Sequence, residues 1–211
     1  EAIADLALKH DIFVIADEVY REFTYDGAQH FSIMYIDRLK DHAIMVDSVS
    51  KRYSMCGARI GCLVSKNEEV MNAAMKFAQA RLSPPTFAQI ACEAAIDVDD
   101  KYFETVNAEY TQRRNTLVEG LKKIKGVKVA EPKGAFYCVA QLPVENTEDF
   151  AQWLLEEFEH EGETVMVAPA SGFYSTPNTG LDQIRIAYVL EEHKLIRCIE
   201  LLDLALQQYH H

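Results

Sequence analysis

The stretch AIMVDSVSKRYSMCGARIGCLVS, residues 43–65, decides the fold because two apolar runs enclose a polar connection. Apolar runs with β-branched residues predict strands, here over residues 43–50 and 60–65. A third run, IFVIAD at 12–17, has the continuous apolar character of a strand buried on both faces. Helical spacing elsewhere makes the chain an α/β protein.

Further elements follow from the same patterns. The opening residues EAIADLALKHD have the spacing of the end of an amphipathic helix, so we expect the chain to be a fragment. Ser83 with Pro84 suits a helix N-cap followed by the first helical position. Helices are predicted over 66–80, 84–97, 100–125, 147–160 and 191–208, and strands over 127–131, 135–141, 164–168 and 183–189. This alternation predicts two α/β regions, residues 1–109 and 110–211.

Composition excludes several classes of protein. The net charge is −12 and lysine and arginine form no run, which argues against nucleic acid as a partner. Five cysteines, an odd number without a CxxC pair, argue against a disulfide framework and a zinc site and indicate a reducing, cytoplasmic location. No apolar stretch reaches the roughly 18 residues that a membrane span needs, so we expect no membrane partner. We also expect no metal partner, because the cysteines form no CxxC pair and the histidines form no HExxH motif. The terminal His210 and His211 are interpreted as a tag remnant.

Two sets of polar residues lie at or near the ends of predicted strands. Asp17 ends the first strand, with Tyr20 three residues later. Lys51 comes just after the second strand, preceded by Ser48 and Ser50. Ligands of open α/β sheets bind beyond the carboxyl ends of strands, and a partly desolvated lysine can act as a Schiff-base nucleophile. Alternatively, Asp17 caps the next turn and Lys51 is a solvated loop residue.

Two arginines complete the set of candidates. Arg59 lies in GARIG, where flanking glycines allow the backbone to bend around a guanidinium that can grip a phosphate. Arg185 lies in QIRIAYV, where strand alternation places it on the face opposite Ile184 and Ile186. It would bind a carboxylate or simply occupy a solvated face.

The joint order and spacing of these motifs resembles the class I/II aminotransferases, which are fold-type I enzymes dependent on pyridoxal 5'-phosphate (PLP). That family has D-x-x-Y, then S-x-x-K, then G-x-R-x-G, then a late arginine. ADEVY, SVSKRYSMCGARIG and QIRIAYV match this pattern in order. RLSPPTFAQIA and APASGFYSTPNTG look most like bacterial aspartate aminotransferases.

The resemblance implies roles for these residues. Lys51 would be the Schiff-base and proton-shuttling lysine, Asp17 the partner of the pyridine nitrogen, and Tyr20 a donor to the cofactor's phenolate oxygen. The phosphate would be held by Ser48, Arg59 and, less directly, Ser50. Arg185 would clamp the α-carboxylate of the substrate.

The resemblance also implies an architecture and a function. The fold would be part of the large PLP-binding domain, a mixed three-stranded remnant with helices, followed by a small C-terminal α/β domain. The enzyme would move an amino group from an L-amino acid, such as aspartate, to a 2-oxo acid, as a homodimer. Without the family's N-terminal half, we expect the isolated chain to be inactive. A PLP-dependent C–S β-lyase or synthase, or the aminotransferase-like effector domain of a transcription regulator, remains an alternative.

Overall fold

The computed structural model describes residues 1–209, so the terminal histidines lie outside the described residues. The chain divides into two compact units, Glu1–Phe103 and Glu104–His211. The division falls inside α5 (Asp100–Lys123), the longest helix of the described part, and lies a few residues before the boundary predicted after residue 109.

The first unit combines a small sheet with flanking helices. Its elements are α1 (Ala2–His10), β1 (Val14–Asp17), β2 (Ala43–Ser48), α2 (Val49–Arg52), β3 (Gly61–Ser65), α3 (Glu68–Arg81) and α4 (Thr86–Ala95). The strand order is β1-β2-β3, with β1 parallel to β2 and β3 antiparallel to it. The mixed three-stranded sheet that the family resemblance implied is therefore confirmed.

The second strand is shorter than predicted. Residues 43–50 were expected to be extended, but β2 ends at Ser48 and Val49 begins the one-turn helix α2. The reason is local, because the Ser48 side chain accepts a hydrogen bond from Ser50 N at 3.0 Å and so caps that helix. Lys51 therefore lies in a helical turn and not in a loop.

The prediction that β1 is buried on both faces is wrong. Val14 packs beside the core cluster formed by Ala4, Ala7, Leu39 and Ala43, whereas Ile15 on the opposite face is 68% exposed. β1 is an edge strand of a three-stranded sheet, and the described residues cover only one of its faces.

The helix predicted to begin at Ser83 and Pro84 also starts later. The last of the three residues Ser83, Pro84 and Pro85 occupies the N-cap position, and the helix α4 begins at Thr86. Pro85 has the extended dihedral angles φ −56° and ψ 133°. Pro84 is itself followed by a proline, and a residue in that position favours an extended conformation over a helical one.

The second unit contains an antiparallel sheet of order β4-β5-β7-β6. Its remaining elements are β4 (Lys128–Val129), β5 (Tyr137–Gln141), α6 (Thr147–Glu156), β6 (Ala168–Pro169), β7 (Gln183–Ala187) and α7 (Glu192–Gln208). One face of the central strands is buried through Cys138, Ala140 and Ile184. Arg185 lies on the other face, as the alternation of QIRIAYV predicted.

One predicted helix and one predicted strand of this unit are shorter in the structure. The helix predicted over 147–160 stops at Glu156, and Phe158 turns inward to pack on Trp153, with ring centroids 5.5 Å apart. The strand predicted over 164–168 is reduced to Ala168–Pro169. Thr164 Oγ1 donates to Leu154 O at 2.6 Å, which ties the preceding segment to α6 instead of to the sheet.

Helices of the described residues do not combine the length and apolar character needed to cross a membrane. The same part of the chain, residues 1–209, contains no group of three or more histidine, cysteine or acidic side chains arranged to hold a metal ion.

Candidate active site

The parallel pairing of β1 and β2 brings two predicted site segments to the same edge of the sheet. Asp17, the last residue of β1, is aligned with Val46, two residues before Ser48 at the end of β2. Residues 17–20, which we call the DEVY turn, and the helix α2 with Lys51, which we call the lysine helix, therefore both begin at the carboxyl ends of parallel strands. Ligands of open α/β sheets bind at such strand ends.

The Asp17 side chain is exposed and partly engaged in its own turn. Val19 N donates to Asp17 Oδ1 at 3.3 Å, which is the turn-capping interaction considered as the alternative role. The second carboxylate oxygen can still accept from another group. Tyr20 is half-buried, and its ring lies edge-on to Phe23 at a centroid distance of 6.4 Å.

Glu18, between these two residues, is buried and anchors the following loop. Its carboxylate accepts from Ser32 Oγ at 3.0 Å and from Ile33 N at 2.9 Å, and it lies 2.8 Å from His30 Nε2. Burial disfavours the charged form, but the hydrogen bonds from His30, Ile33 and Ser32 outweigh it and lower the pKa of the Glu18 carboxyl. These bonds fix the strand end from which Asp17 and Tyr20 project.

Glu18→Gln should destabilise the protein in a pH-dependent manner. The lowered pKa means that Glu18 contributes stability above the unfolded-state pKa of about 4.3, and this contribution is lost as pH falls through the folded pKa. We expect a loss of about 1–3 kcal/mol in the free energy of unfolding at pH 7, because an amide cannot satisfy all three donors. Denaturant titrations at pH 7 and below pH 4 measure this difference, which should shrink at the lower pH. The exposed Glu145→Gln is the control, and an equal loss at both pH values would contradict the account.

Two serines close the start of the lysine helix. Ser48 Oγ lies 2.9 Å from Ile60 O and 2.7 Å from Ser50 Oγ. A hydroxyl has one proton, so Ser48 cannot donate to both groups at once. It donates either to Ile60 O, while accepting from Ser50 Oγ, or to Ser50 Oγ, without a hydrogen bond to Ile60 O. Lys51 follows on the same turn and is half-buried.

Arg59 is held beside this helix by the return of the chain into β3. Its backbone is left-handed at φ 55°, and its Nη1 donates to Cys56 O at 3.0 Å. Val49 N donates to Ile60 O at 3.3 Å, and Gly61 is paired with Ser48 across the strands. A Cβ on Gly61 would lie 2.9 Å from Asp47 O, so this close approach requires glycine.

Sequence reasoning missed a charged network around the residue after the lysine. Arg52 forms an ion pair through Nη2 with the buried carboxylate of Asp47, and its Nε lies 3.3 Å from Glu22 Oε1. Ser48 N also donates to Asp47 Oδ1 at 2.7 Å. Arg52 thus links the segment after β1 to the lysine helix. The signal in the sequence for this network is that Asp47 directly precedes the S-x-x-K motif and Arg52 directly follows it.

Arg185 belongs to the second unit and has an aromatic environment. Its guanidinium carbon lies 4.7 Å from the ring centroid of Tyr137 and 4.6 Å from that of Phe173. Both distances are within the range of a cation–π interaction. The two rings were also missed by sequence reasoning, because their proximity depends on strand register and on the turn before β7.

The first-unit residues supply a set of groups that fits a phosphorylated pyridine aldehyde. A carboxylate can pair with a ring nitrogen, hydroxyls and a guanidinium can bind a phosphate, and an amine can bond to an aldehyde. These groups are Asp17, Tyr20, Ser48, Ser50, Lys51 and Arg59.

Comparison with known proteins identifies the family. The model of the aminotransferase class I and II family matches residues 1–201, and the chain belongs to this family. It is 31% identical to an aspartate aminotransferase of Pyrococcus horikoshii, covering 98% of this chain and 51% of the relative. It is 33% identical to an aspartate aminotransferase of Bacillus subtilis, covering 90% and 49%.

The fold comparison agrees. The structure of an aromatic aminotransferase from Pyrococcus horikoshii matches with a TM-score of 0.86 and 30% identity, over 98% of this chain and 54% of that one. The chain therefore spans about half the length of the relatives it matches.

Proposed function

We propose that the intact gene product is a PLP-dependent aminotransferase that moves an amino group from an L-amino acid to a 2-oxo acid. The observation that carries this proposal is the position of Lys51, which lies on a capped helical turn directly after β2, at the same sheet edge as Asp17. Family membership supports the proposal, and the activity is proposed for the whole protein because this chain covers about half of its relatives.

Each first-unit residue has a role that follows from its chemistry. Lys51 Nζ would hold the cofactor through its aldehyde group, and the same amine could carry the proton at the substrate Cα. Asp17 would accept a hydrogen bond from the protonated pyridine nitrogen, and Tyr20 would donate one to the phenolate oxygen. When bound, PLP supplies an electron sink for negative charge at the substrate Cα.

Phosphate binding is assigned to the groups beside the lysine helix. The exposed Arg59 guanidinium can offer a charge-assisted fork, and its backbone is held by the Ile60 and Gly61 contacts. Ser50 could direct its hydroxyl proton towards a phosphate while its oxygen accepts from Ser48 Oγ. Ser48 would have to release either Ile60 O or Ser50 Oγ to do the same.

Arg185 is proposed to bind the substrate α-carboxylate. The guanidinium is half-buried and, within the described part of the chain, forms no ion pair with an acidic side chain. Aspartate is the first amino donor to test because two of the relatives above are aspartate aminotransferases, and an aromatic amino acid is the second because of the structural match.

Three further assignments accompany this proposal. We infer that the protein works in the cytoplasm, which suits five cysteines in an odd, unpatterned set. We infer that it is a homodimer, because the family resemblance implies one. The functional domains are proposed to be residues 1–109 and 110–211, which meet within α5.

An amino-transfer assay tests the function. The intact gene product, purified with PLP, should convert L-aspartate or an aromatic L-amino acid and 2-oxoglutarate into the matching 2-oxo acid and L-glutamate in equal amounts, measured by chromatography. Release of ammonia and a thiol from a thioether amino acid, without glutamate formation, would establish the lyase alternative. PLP binding with neither reaction across a panel of amino acids would contradict both.

A further inference from the structure

Arg185 is surrounded in a way that a merely solvated strand arginine does not require. Tyr137 and Phe173 each place a ring within 5 Å of its guanidinium carbon, at 4.7 and 4.6 Å. Phe173 is 59% exposed, so its own burial does not account for this position. Within residues 1–209 the guanidinium has no acidic partner, and its N–H groups remain available to an external anion.

Strand register fixes one of the two rings. Tyr137 of β5 is aligned with Ala187 of β7, and Arg185 is the residue two positions before Ala187. Side chains two positions apart share a face of a strand, so the tyrosine ring and the arginine are diagonal neighbours on one face of the sheet. Val139 stands directly opposite Arg185 on the same face and carries no ring.

A tied loop fixes the other ring. Ala170 N donates to Gln183 O at 2.8 Å, and Phe173 N donates back to Ala170 O at 3.0 Å. Tyr174, the next residue, donates its hydroxyl to Gln183 Oε1 at 2.5 Å. The turn that bears Phe173 is therefore attached on both sides to Gln183, two residues before Arg185.

Glycine at position 180 completes this attachment. Gly180 has φ +71°, and a Cβ there would lie 2.4 Å from a ring carbon of Tyr174. The ring of Tyr174 thus occupies space that any other residue at 180 would fill. A larger residue at 180 would displace the Tyr174 ring, whose hydroxyl attaches the loop to Gln183.

We propose that Phe173 and Tyr137 are positioning residues that orient the Arg185 guanidinium for a planar carboxylate, an inference that rests on the proposed carboxylate-binding function of Arg185. Two rings within 5 Å of the guanidinium carbon limit the orientations that the guanidinium can adopt. A carboxylate bound by two parallel hydrogen bonds needs one particular orientation, because it lies in the guanidinium plane. The rings also restrict the rotation of the arginine side chain before a ligand binds, so binding costs less conformational entropy.

Binding and kinetics together test this inference in the PLP-loaded intact gene product. Phe173→Leu and Tyr137→Leu keep apolar bulk but remove the π face. Each should weaken the binding of 2-methylaspartate, measured by calorimetry, by about fivefold to thirtyfold, the range expected for one cation–π contact. The kcat/KM for L-aspartate should fall similarly, whereas that for the corresponding amine without the α-carboxylate should change less than about twofold.

A double-mutant cycle separates positioning from a general structural effect. In an Arg185→Gln background, Phe173→Leu should change binding by less than about twofold, because the guanidinium that the ring orients is absent. Val139→Ala is the matched control and should leave binding unchanged. Equal losses with and without Arg185, or no loss with Arg185 present, would overturn the positioning role alone. If Arg185→Gln itself binds 2-methylaspartate normally, the carboxylate assignment fails and the inference fails with it.

Discussion

Lys51→Ala should abolish both the covalent attachment of PLP and amino-group transfer in the intact gene product. Lys51 lies on the turn that follows β2 and is half-buried, whereas the nearby Lys66 is exposed in an ion pair with Asp37 at 3.3 Å. The substitution removes a nucleophile and a proton carrier together. We therefore expect kcat to fall by at least about 10⁴-fold, the upper range for loss of a general acid–base group.

Chemical trapping identifies the lysine independently of turnover. Borohydride reduction of the PLP-loaded protein should add the pyridoxyl group to the peptide that contains Lys51, read by mass spectrometry. Lys66→Ala serves as the control and should keep both the label and the activity. A pyridoxyl label on another lysine would reject the assignment, as would a Lys51→Ala variant that retains transfer.

The position of the Lys51 side chain depends on the contacts that neighbouring residues make. Arg52 joins Asp47, at the end of β2, to Glu22, which follows the DEVY turn. Ser48 caps the same turn and reaches Ile60, the residue after Arg59. The turn that bears Lys51 is thus connected to Glu22, which lies in the segment after Asp17, and to the backbone carbonyl of Ile60, the residue after Arg59. Such supporting contacts hold a site rigidly.

The strands and their topology could be predicted because apolar runs and polar punctuation are local properties. The runs at 12–17, 43–50 and 60–65 all became strands, and the mixed pairing followed from the family resemblance. The pattern did not show where β2 would stop, because capping by Ser48 competes with extension. It also overstated the burial of β1, since an apolar run does not specify what covers each face.

The candidate site could be predicted only as separate motifs. The sequence placed Asp17 and Lys51 after strands, and their common sheet edge followed from parallel pairing. The burial of Glu18 depends on Ser32 and Ile33, more than a dozen residues away. The rings around Arg185 depend on the register between β5 and β7. Such contacts arise from tertiary structure, which periodicity does not encode.

Arg185→Lys should separate cofactor binding from substrate binding. Lysine keeps the positive charge but offers a point charge in place of a planar fork, and it cannot present two parallel N–H groups to a carboxylate. We expect kcat/KM for L-amino acids to fall by about 10²-fold, corresponding to the roughly 1.5–3 kcal/mol of a charged hydrogen bond. PLP attachment at Lys51 should persist, because the groups proposed to hold the cofactor belong to the first unit.

The substrate without a carboxylate provides the decisive comparison. A clamp for the α-carboxylate has nothing to bind in the corresponding amine, so the amine should react with wild type and Arg185→Lys at nearly equal rates. Stopped-flow measurement of the first half-reaction, with each substrate in turn, gives both ratios. Thermal unfolding of the variant checks that the substitution leaves the fold intact. If the amine and the amino acid lose rate equally, Arg185 acts elsewhere than on the carboxylate, since only an interaction specific to that group can make the two losses differ.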